Sequence, residues 1–173
     1  MSGQMKEMTV SLRPFQPEDE EFLVKVYGST REAELAMVPW DAARREAFVR
    51  AQLTAQLRHY QTEYPRAIHR IVELDGHPIG RIYVDRRPAE IRILDITLLP
   101  EHRGKGIGSP LIRALMDEAE RDGKSLTIHL ESFGPGSRSQ SLFRRLGFRP
   151  GETNGFHILF AWPAEPHRPL KYQ

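Results

Sequence analysis

The chain has 173 residues, of which 39% are hydrophobic, and its 25 Lys and Arg residues nearly balance its 23 Asp and Glu residues, giving a net charge of +2. This length and apolar content predict one domain around one core, and the mixed charges argue against nucleic-acid binding. The absence of cysteine excludes disulfides, thiolate metal sites and cysteine nucleophiles. No segment reaches the roughly 18 apolar residues of a membrane span, so we expect a cytoplasmic protein without membrane partners.

The first third of the chain predicts a strand followed by two helices. Weak alternation over residues 9–15 indicates the strand, and Pro17 can occupy the first position of a helix over residues 18–27. Asp41 can cap a longer helix that reaches about Tyr60, because apolar residues recur there at helical spacing.

The middle of the chain changes to a period of two, which is typical of strands. Three strands are predicted, over residues 67–74, 79–84 and 90–99. Asp75 and Gly76 form a hairpin turn between the first two, so this region is an antiparallel meander.

The last part of the chain mixes helices and strands. A glycine-rich stretch after Pro100 leads into a helix closed by Gly123, with one apolar face formed by Leu111, Ile112, Leu115, Met116 and Ala119. A buried strand, a short helix, a turn and a final strand follow, over residues 126–130, 139–146, 151–155 and 156–162. The order predicts an α+β fold in which one domain, residues 1–173, has its core at about 9–162 and a Pro-rich tail at 163–173.

The most informative segment is the glycine-rich loop of residues 98–108, LLPEHRGKGIG, which joins a strand to a helix. Backbone N–H groups at a helix start are unpaired and the helix dipole adds positive charge, so a pyrophosphate is stabilised there. A Cβ at Gly104, Gly106 or Gly108 would take the space of the phosphate oxygens or prevent a positive φ. Arg103 adds a fixed charge.

Two other phosphate-binding loops are excluded. The dinucleotide fingerprint G-x-G-x-x-G fails because Ser109 stands where the third glycine is required. The nucleotide P-loop fails because Lys105 is followed by Gly106 instead of Ser or Thr. The remaining alternative is a glycine-rich turn that binds no ligand.

These residues resemble a known family. Residues 103–108, RGKGIG, match the acyl-CoA signature Q/R-x-x-G-x-G/A of the GNAT (general control non-repressible N-acetyltransferase) superfamily. Leu146-Gly147-Phe148 is similar to the L-G-F that follows that family's last helix, and the order of elements agrees over about 9–162. The resemblance implies a mostly antiparallel sheet of six to seven strands, flanked by about four helices.

The resemblance also implies a cofactor site and a reaction. The acyl-CoA pyrophosphate would lie on the loop amides, and the pantetheine would pair with the backbone of Ile96 and Leu98. The implied loop residues are Arg103, Gly104, Lys105, Gly106, Ile107, Gly108 and Ser109. Acetyl-CoA would donate its acetyl group to a primary amine of a small molecule or peptide, by direct attack in a ternary complex, with the Leu98 amide holding the oxyanion. Dimers are common in that family, so a homodimer is one arrangement that the resemblance allows.

The amine must lose a proton before it attacks, which at neutral pH favours a nearby carboxylate. The resemblance makes Asp95, in the fourth strand, and Glu131, at the end of the fifth, the candidate catalytic residues. For each, a solvated or salt-bridged strand-end carboxylate is the alternative.

Two features depart from the family pattern. Phe143 stands at the tyrosine of Y-x-x-L-G-F, and residues 132–136 lack the usual Asn. A catalytically weak acyl-CoA-binding module is therefore the rival function. His129 is expected to be an ordinary strand residue, and no histidine spacing suggests a metal site.

Overall fold

A computed structural model describes residues 7–132 and 138–163 of the chain. Within these ranges seven strands form one sheet in the order β1-β2-β3-β4-β5-β7-β6. The strands are β1 (Val10–Pro14), β2 (Ile68–Leu74), β3 (His77–Arg86), β4 (Glu90–Leu98), β5 (Ser125–Glu131), β6 (Arg149–Asn154) and β7 (His157–Trp162). The α-helices are α1 (Glu20–Ser29), α2 (Glu32–Leu35), α3 (Ala42–Glu63), α4 (Gly108–Arg121) and α5 (Arg138–Arg145). The predicted α+β fold is confirmed, and the four-residue α2 is the helix that the sequence did not predict.

The sheet is mostly antiparallel, as expected. β1 pairs antiparallel with β2, and β7 pairs antiparallel with both β5 and β6. β4 and β5 are parallel, with Glu90–Ile93 opposite Ser125–Ile128. Two parallel neighbours need a crossover connection, which α4 supplies. The glycine loop is therefore the segment that leaves the end of β4 and enters the crossover helix.

The chain divides into two compact units, of which the first is Met1–Tyr83 with Ile96–Lys105. Its core combines α1, α3 and β2 and contains Leu23, Val24, Tyr27, Val49, Leu53 and Ile71. The predicted cap of α3 is confirmed, because the Asp41 carboxylate accepts the backbone N–H of Arg44 at 2.8 Å.

The second unit is Val84–Asp95 with Gly106–Gln173. Its helix α4 buries residues at spacings of three and four, namely Ile112, Leu115 and Ala119. In strand β5 the apolar residues Leu126, Ile128 and Leu130 alternate with polar ones and are buried, as is Thr127 between them. The sequence predicts both patterns because each has the period of its own secondary structure.

The turn predicted at residues 151–155 is wrong, because most of this segment belongs to strand β6. Every residue of β6 is exposed, so the strand has no apolar alternation to reveal it. Its pairing with β7 shifts between Pro150 and Thr153. An edge strand tolerates proline and irregular pairing because its outer N–H groups need no partner within the sheet. Pro150-Gly151, typical of a turn, thus lies in an edge strand.

Within the described ranges no helix has the length and apolar composition that crossing a bilayer would need. The predicted Pro-rich tail lies outside these ranges, apart from Pro163.

Candidate active site

The glycine loop runs from a short 3-10 turn, Pro100–His102, to the start of α4 at Gly108. Gly104 and Gly106 have φ angles of +69° and +76°, in the left-handed region that favours glycine. A Cβ built on Gly104, Gly106 or Gly108 would meet no atom within 4 Å. The space beside these positions is therefore open, and the loop presents bare backbone to it.

The amides of this loop are suited to an anion. Among residues 7–132 and 138–163, the N–H groups of residues 104–107 donate to no backbone carbonyl. The N–H groups in the first turn of α4 have no acceptor within the helix, and the helix dipole adds about half a positive charge there. Ile107 is buried and anchors the loop. The arrangement fits a pyrophosphate, whose oxygens accept several hydrogen bonds at once.

Arg103, at the start of the loop, is held by two hydrogen bonds within the first unit. Its Nε donates to the carbonyl of Leu98 at 2.8 Å, and its Nη2 donates to the hydroxyl of Ser29 at 3.1 Å. The guanidinium therefore joins the end of β4 to the end of α1. The carbonyl of Leu98 keeps a second lone pair for another donor.

The two candidate carboxylates occupy different strands of the second unit. Asp95 is half-buried in β4, and Glu131 is exposed at the end of β5. In the parallel register Ile93 lies opposite Ile128. Because side chains alternate along a strand, Asp95 shares the face of Ile93 and Ile128, whereas Glu131 shares the face of Thr127. We infer that the two carboxylates lie on opposite faces of the sheet and do not act on one amine together.

The surroundings of Glu131 include two residues that sequence reasoning missed. Gln140 is buried in α5, and its Nε2 donates to the backbone carbonyl of Glu131 at 2.9 Å. His157 of β7 lies opposite Glu131 in the antiparallel register. A polar residue on the buried side of α5 is a signal that could have revealed Gln140. His157 could be found only by knowing how β5 and β7 pair.

His129 lies two residues before Glu131 and is half-buried. Burial, followed by the positive charges of Arg92 and His157, lowers the pKa of His129. Arg92 is itself paired, because its Nη2 donates to Glu90 at 2.8 Å. Near neutral pH the imidazole of His129 is therefore mainly uncharged.

A family model described as Acetyltransferase (GNAT) family matches residues 33–148, more than half of the chain. The chain belongs to the GNAT acetyltransferase family. This membership confirms the resemblance found in the sequence and makes the protein an acyl-CoA-dependent N-acetyltransferase.

Individual relatives of the GNAT family agree with this assignment. A Bacillus subtilis (strain 168) protein, provisionally named ribosomal protein bS18-alanine N-acetyltransferase, is 28% identical over 113 residues, covering 60% of this chain and 73% of that protein. PaiA N-acetyltransferase from Thermoplasma acidophilum, solved in complex with coenzyme A, aligns with a TM-score of 0.65 at 18% identity, covering 88% of this chain and 98% of the other. The ribosomal-protein-S18-alanine N-acetyltransferase from Escherichia coli aligns with a TM-score of 0.59 at 15% identity, covering 95% and 100%. At these identities the two solved structures show a shared fold.

Phe143 remains a departure from the GNAT pattern. Its ring is buried and packs edge-on against Phe148, with the ring centroids 5.0 Å apart. The Phe143 side chain therefore packs in the core of the second unit. It has no hydroxyl group that could donate a proton. The segment that departs from the family's Asn lies mostly outside the described residues, since only Ser132 of residues 132–136 is described.

In the described part of the chain, no three His, Cys, Asp or Glu side chains come together as metal ligands.

Proposed function

We propose that this GNAT member transfers an acetyl group from acetyl-CoA to a primary amine of a small molecule or peptide, by direct attack in a ternary complex. The observation that carries the proposal is the glycine loop, which combines two left-handed glycines with amides that donate to no backbone carbonyl in the described residues. The Bacillus subtilis relative is named for the alanine of a ribosomal protein. That name supports a peptide α-amine as one acceptor class, and such an acceptor would place the reaction in the cytoplasm.

In this proposal, the backbone amides of residues 104–109 hold the pyrophosphate, because the Arg103 N–H already donates to the Pro100 carbonyl at 3.2 Å. The pantetheine pairs with Ile96 and Leu98. The Leu98 carbonyl can receive a pantetheine N–H on its second lone pair, beside the Arg103 guanidinium. The Leu98 amide then stabilises the oxyanion that forms on the thioester carbonyl. Because the donor is the backbone N–H of Leu98, this contact depends on the geometry of β4 and not on a particular side chain.

Glu131 is the carboxylate we favour as proton acceptor. It is exposed at a strand end and its backbone is fixed by Gln140, whereas Asp95 is half-buried on the other face. The ammonium gives one proton to Glu131, and the neutral amine attacks the thioester carbonyl. When the C–S bond breaks, the thiolate takes the second proton from the nitrogen. A thiol of pKa about 8.5 leaves readily, so Phe143 in place of tyrosine slows this step without preventing it.

We also propose that both units form one acyltransferase domain, because the family match at residues 33–148 includes parts of each. A homodimer stays a prediction, to be tested by sedimentation.

A thiol-release assay tests the function. The protein is incubated with acetyl-CoA and a panel of amines that includes polyamines, amino acids, aminoglycosides and peptides beginning with alanine. Amine-dependent release of free CoA is the expected result. The buried Phe143 favours one rival, a weak acyl-CoA-binding module. Tight binding of acetyl-CoA without release with any amine would support that module and contradict the enzyme.

A further inference from the structure

The end of the β5-β7 ladder brings a carboxylate and an imidazole side by side. Glu131 lies opposite His157 in the register. The next residue, Ser132, donates its N–H to the Phe156 carbonyl at 2.7 Å. Hydrogen-bonded and non-hydrogen-bonded pairs alternate along an antiparallel ladder, so Glu131 and His157 are a non-hydrogen-bonded pair. In such pairs the Cβ atoms are about 4.5–5.5 Å apart. Rotation about side-chain bonds is enough to bring carboxylate and imidazole into hydrogen-bonding distance.

The backbone beneath this pair is fixed on several sides. Pairing continues inward at Leu130 and Ile158, and outward through the Ser132 hydrogen bond to Phe156. The buried Gln140 adds its hydrogen bond to the Glu131 carbonyl at 2.9 Å. An exposed strand end usually frays, but this one is held from both strands and from α5. Hydrogen bonds from both strands and from α5 therefore hold the backbone of the two residues side by side.

Both side chains are available to a substrate. Glu131 and His157 are exposed, and within residues 7–132 and 138–163 neither forms an ion pair. On β5, His129 interacts electrostatically with His157 and with Arg92 and Glu90 of β4. Arg92 pairs with Glu90 at 2.8 Å, and His129 is mainly uncharged. An approaching ammonium therefore meets an exposed carboxylate and an exposed imidazole, and the arginine on the neighbouring strand is already paired.

We propose that His157 is a positioning residue that works through Glu131 as the second acceptor of the amine's proton. The inference deepens the proposed function and rests on it. Glu131 takes one proton from the ammonium, and the O–H bond then breaks as an N–H bond forms on the His157 imidazole. The imidazolium releases this proton to solvent, while the other proton of the attacking nitrogen goes to the departing thiolate. The balance is one ammonium and one thioester giving one amide, one thiol and one released proton.

The relay needs a neutral imidazole at His157 to accept the proton from Glu131. Both groups are required in series, so their effects on rate are not independent. A histidine that only shapes the strand would change stability and binding, but it would leave the pH dependence of the rate unaltered. The pH profile and the coupling between the two residues are therefore the readouts that separate a relay from a structural role.

The test compares four variants with the parent on an amine that the parent acetylates: His157→Gln, Glu131→Gln, the double variant, and His77→Gln. His77 is an exposed histidine at the start of β3 and serves as the matched control. We expect kcat/KM at pH 7 to fall about 10-fold in His157→Gln and about 100-fold in Glu131→Gln. The double variant should be no worse than Glu131→Gln within about twofold. The His157→Gln deficit should shrink as pH rises, because hydroxide and neutral amine replace the relay.

Chemical rescue by imidazole distinguishes the loss of the relay from a folding defect, because imidazole would not restore the rate of a misfolded variant. Because the position is exposed, added imidazole should restore part of the lost rate to His157→Ala and none to Glu131→Gln. Parental rates and pH profile in His157→Gln would overturn the inference, as would a double variant whose loss is the product of the single losses. If the parent acetylates no amine while binding acetyl-CoA, the proposed function fails first. If the parent is active and His157→Gln is indistinguishable from it, only the relay fails.

Discussion

Two glycines of this chain form a matched pair for testing the loop. Gly106 lies in the acyl-CoA loop and Gly76 in the turn between β2 and β3, with φ angles of +76° and +80°. A Cβ added at either position meets nothing within 4 Å. Substitution by alanine therefore imposes the same conformational strain at both sites without a steric clash, and only one site is proposed to face a phosphate.

The expected loss of stability follows from the left-handed backbone alone. Placing an L-residue there costs about 1–2 kcal/mol. For a chain of this length, each kcal/mol lowers the melting temperature by about 2–4 °C. Gly76→Ala and Gly106→Ala should therefore both melt about 2–8 °C below the parent and remain folded at 25 °C.

Affinity for acetyl-CoA should separate the two variants. The Cβ at position 106 occupies the space that a phosphate oxygen needs, so we expect calorimetric titration to show at least a 10-fold weaker Kd for Gly106→Ala. Gly76→Ala should bind like the parent. Equal affinity in the two variants, at equal loss of stability, would refute the placement of the pyrophosphate on this loop.

Three further outcomes are expected. Glu131→Gln should lower the acetylation rate about 100-fold at pH 7 with unchanged acetyl-CoA affinity, and this loss should vanish toward about pH 10. Asp95→Asn should lower the rate less, and kcat measured over a pH series decides between the two carboxylates. Gln140→Leu removes the hydrogen bond to the Glu131 carbonyl, so thermal unfolding should show about 1–3 kcal/mol of destabilisation. The kcat should fall while the KM for acetyl-CoA stays unchanged. A variant with parental kcat would contradict a role for Gln140 in positioning Glu131. The Arg86 guanidinium, whose Nη2 donates to the Glu118 carboxylate at 2.9 Å, holds the pKa of Glu118 below its ordinary value. Glu118→Gln should therefore be less stable than the parent at pH 7, and urea unfolding at several pH values should show this difference disappear as the pH falls through the lowered pKa.

The sequence predicts elements whose periodicity is strong. Helix α4 has buried residues at spacings of three and four, which is the period of a helix, and the apolar residues of β5 alternate with Thr127 and His129, which is the period of a strand. The cap at Asp41 is also local, because the bond spans three residues. The glycine loop is recognisable in the sequence because a backbone that approaches a phosphate needs these residue types whatever the surrounding fold.

The elements that escaped prediction lack such local signals. β6 is exposed along its whole length and has no apolar pattern. It is a strand because it pairs with β7. The pair of Glu131 and His157 joins residues on different strands, and only the register of β5 on β7 makes them neighbours. Opposite faces for Asp95 and Glu131 are likewise inferred from the pairing of Ile93 with Ile128 and from the alternation of side chains along each strand. Tertiary pairing decides which polar residues share a face, and a single sequence does not specify it.

The formation of an amide product is the decisive test of N-acetyl transfer by this protein. The parent protein is incubated with acetyl-CoA and an amine that stimulates thiol release, and free CoA and N-acetylated amine are quantified together by mass spectrometry. We expect equal amounts of the two products, because each C–S bond that breaks is matched by one C–N bond that forms. Release of CoA with free acetate and no acetylated amine would show that water, and not the amine, is the acceptor, and would contradict N-acetyl transfer.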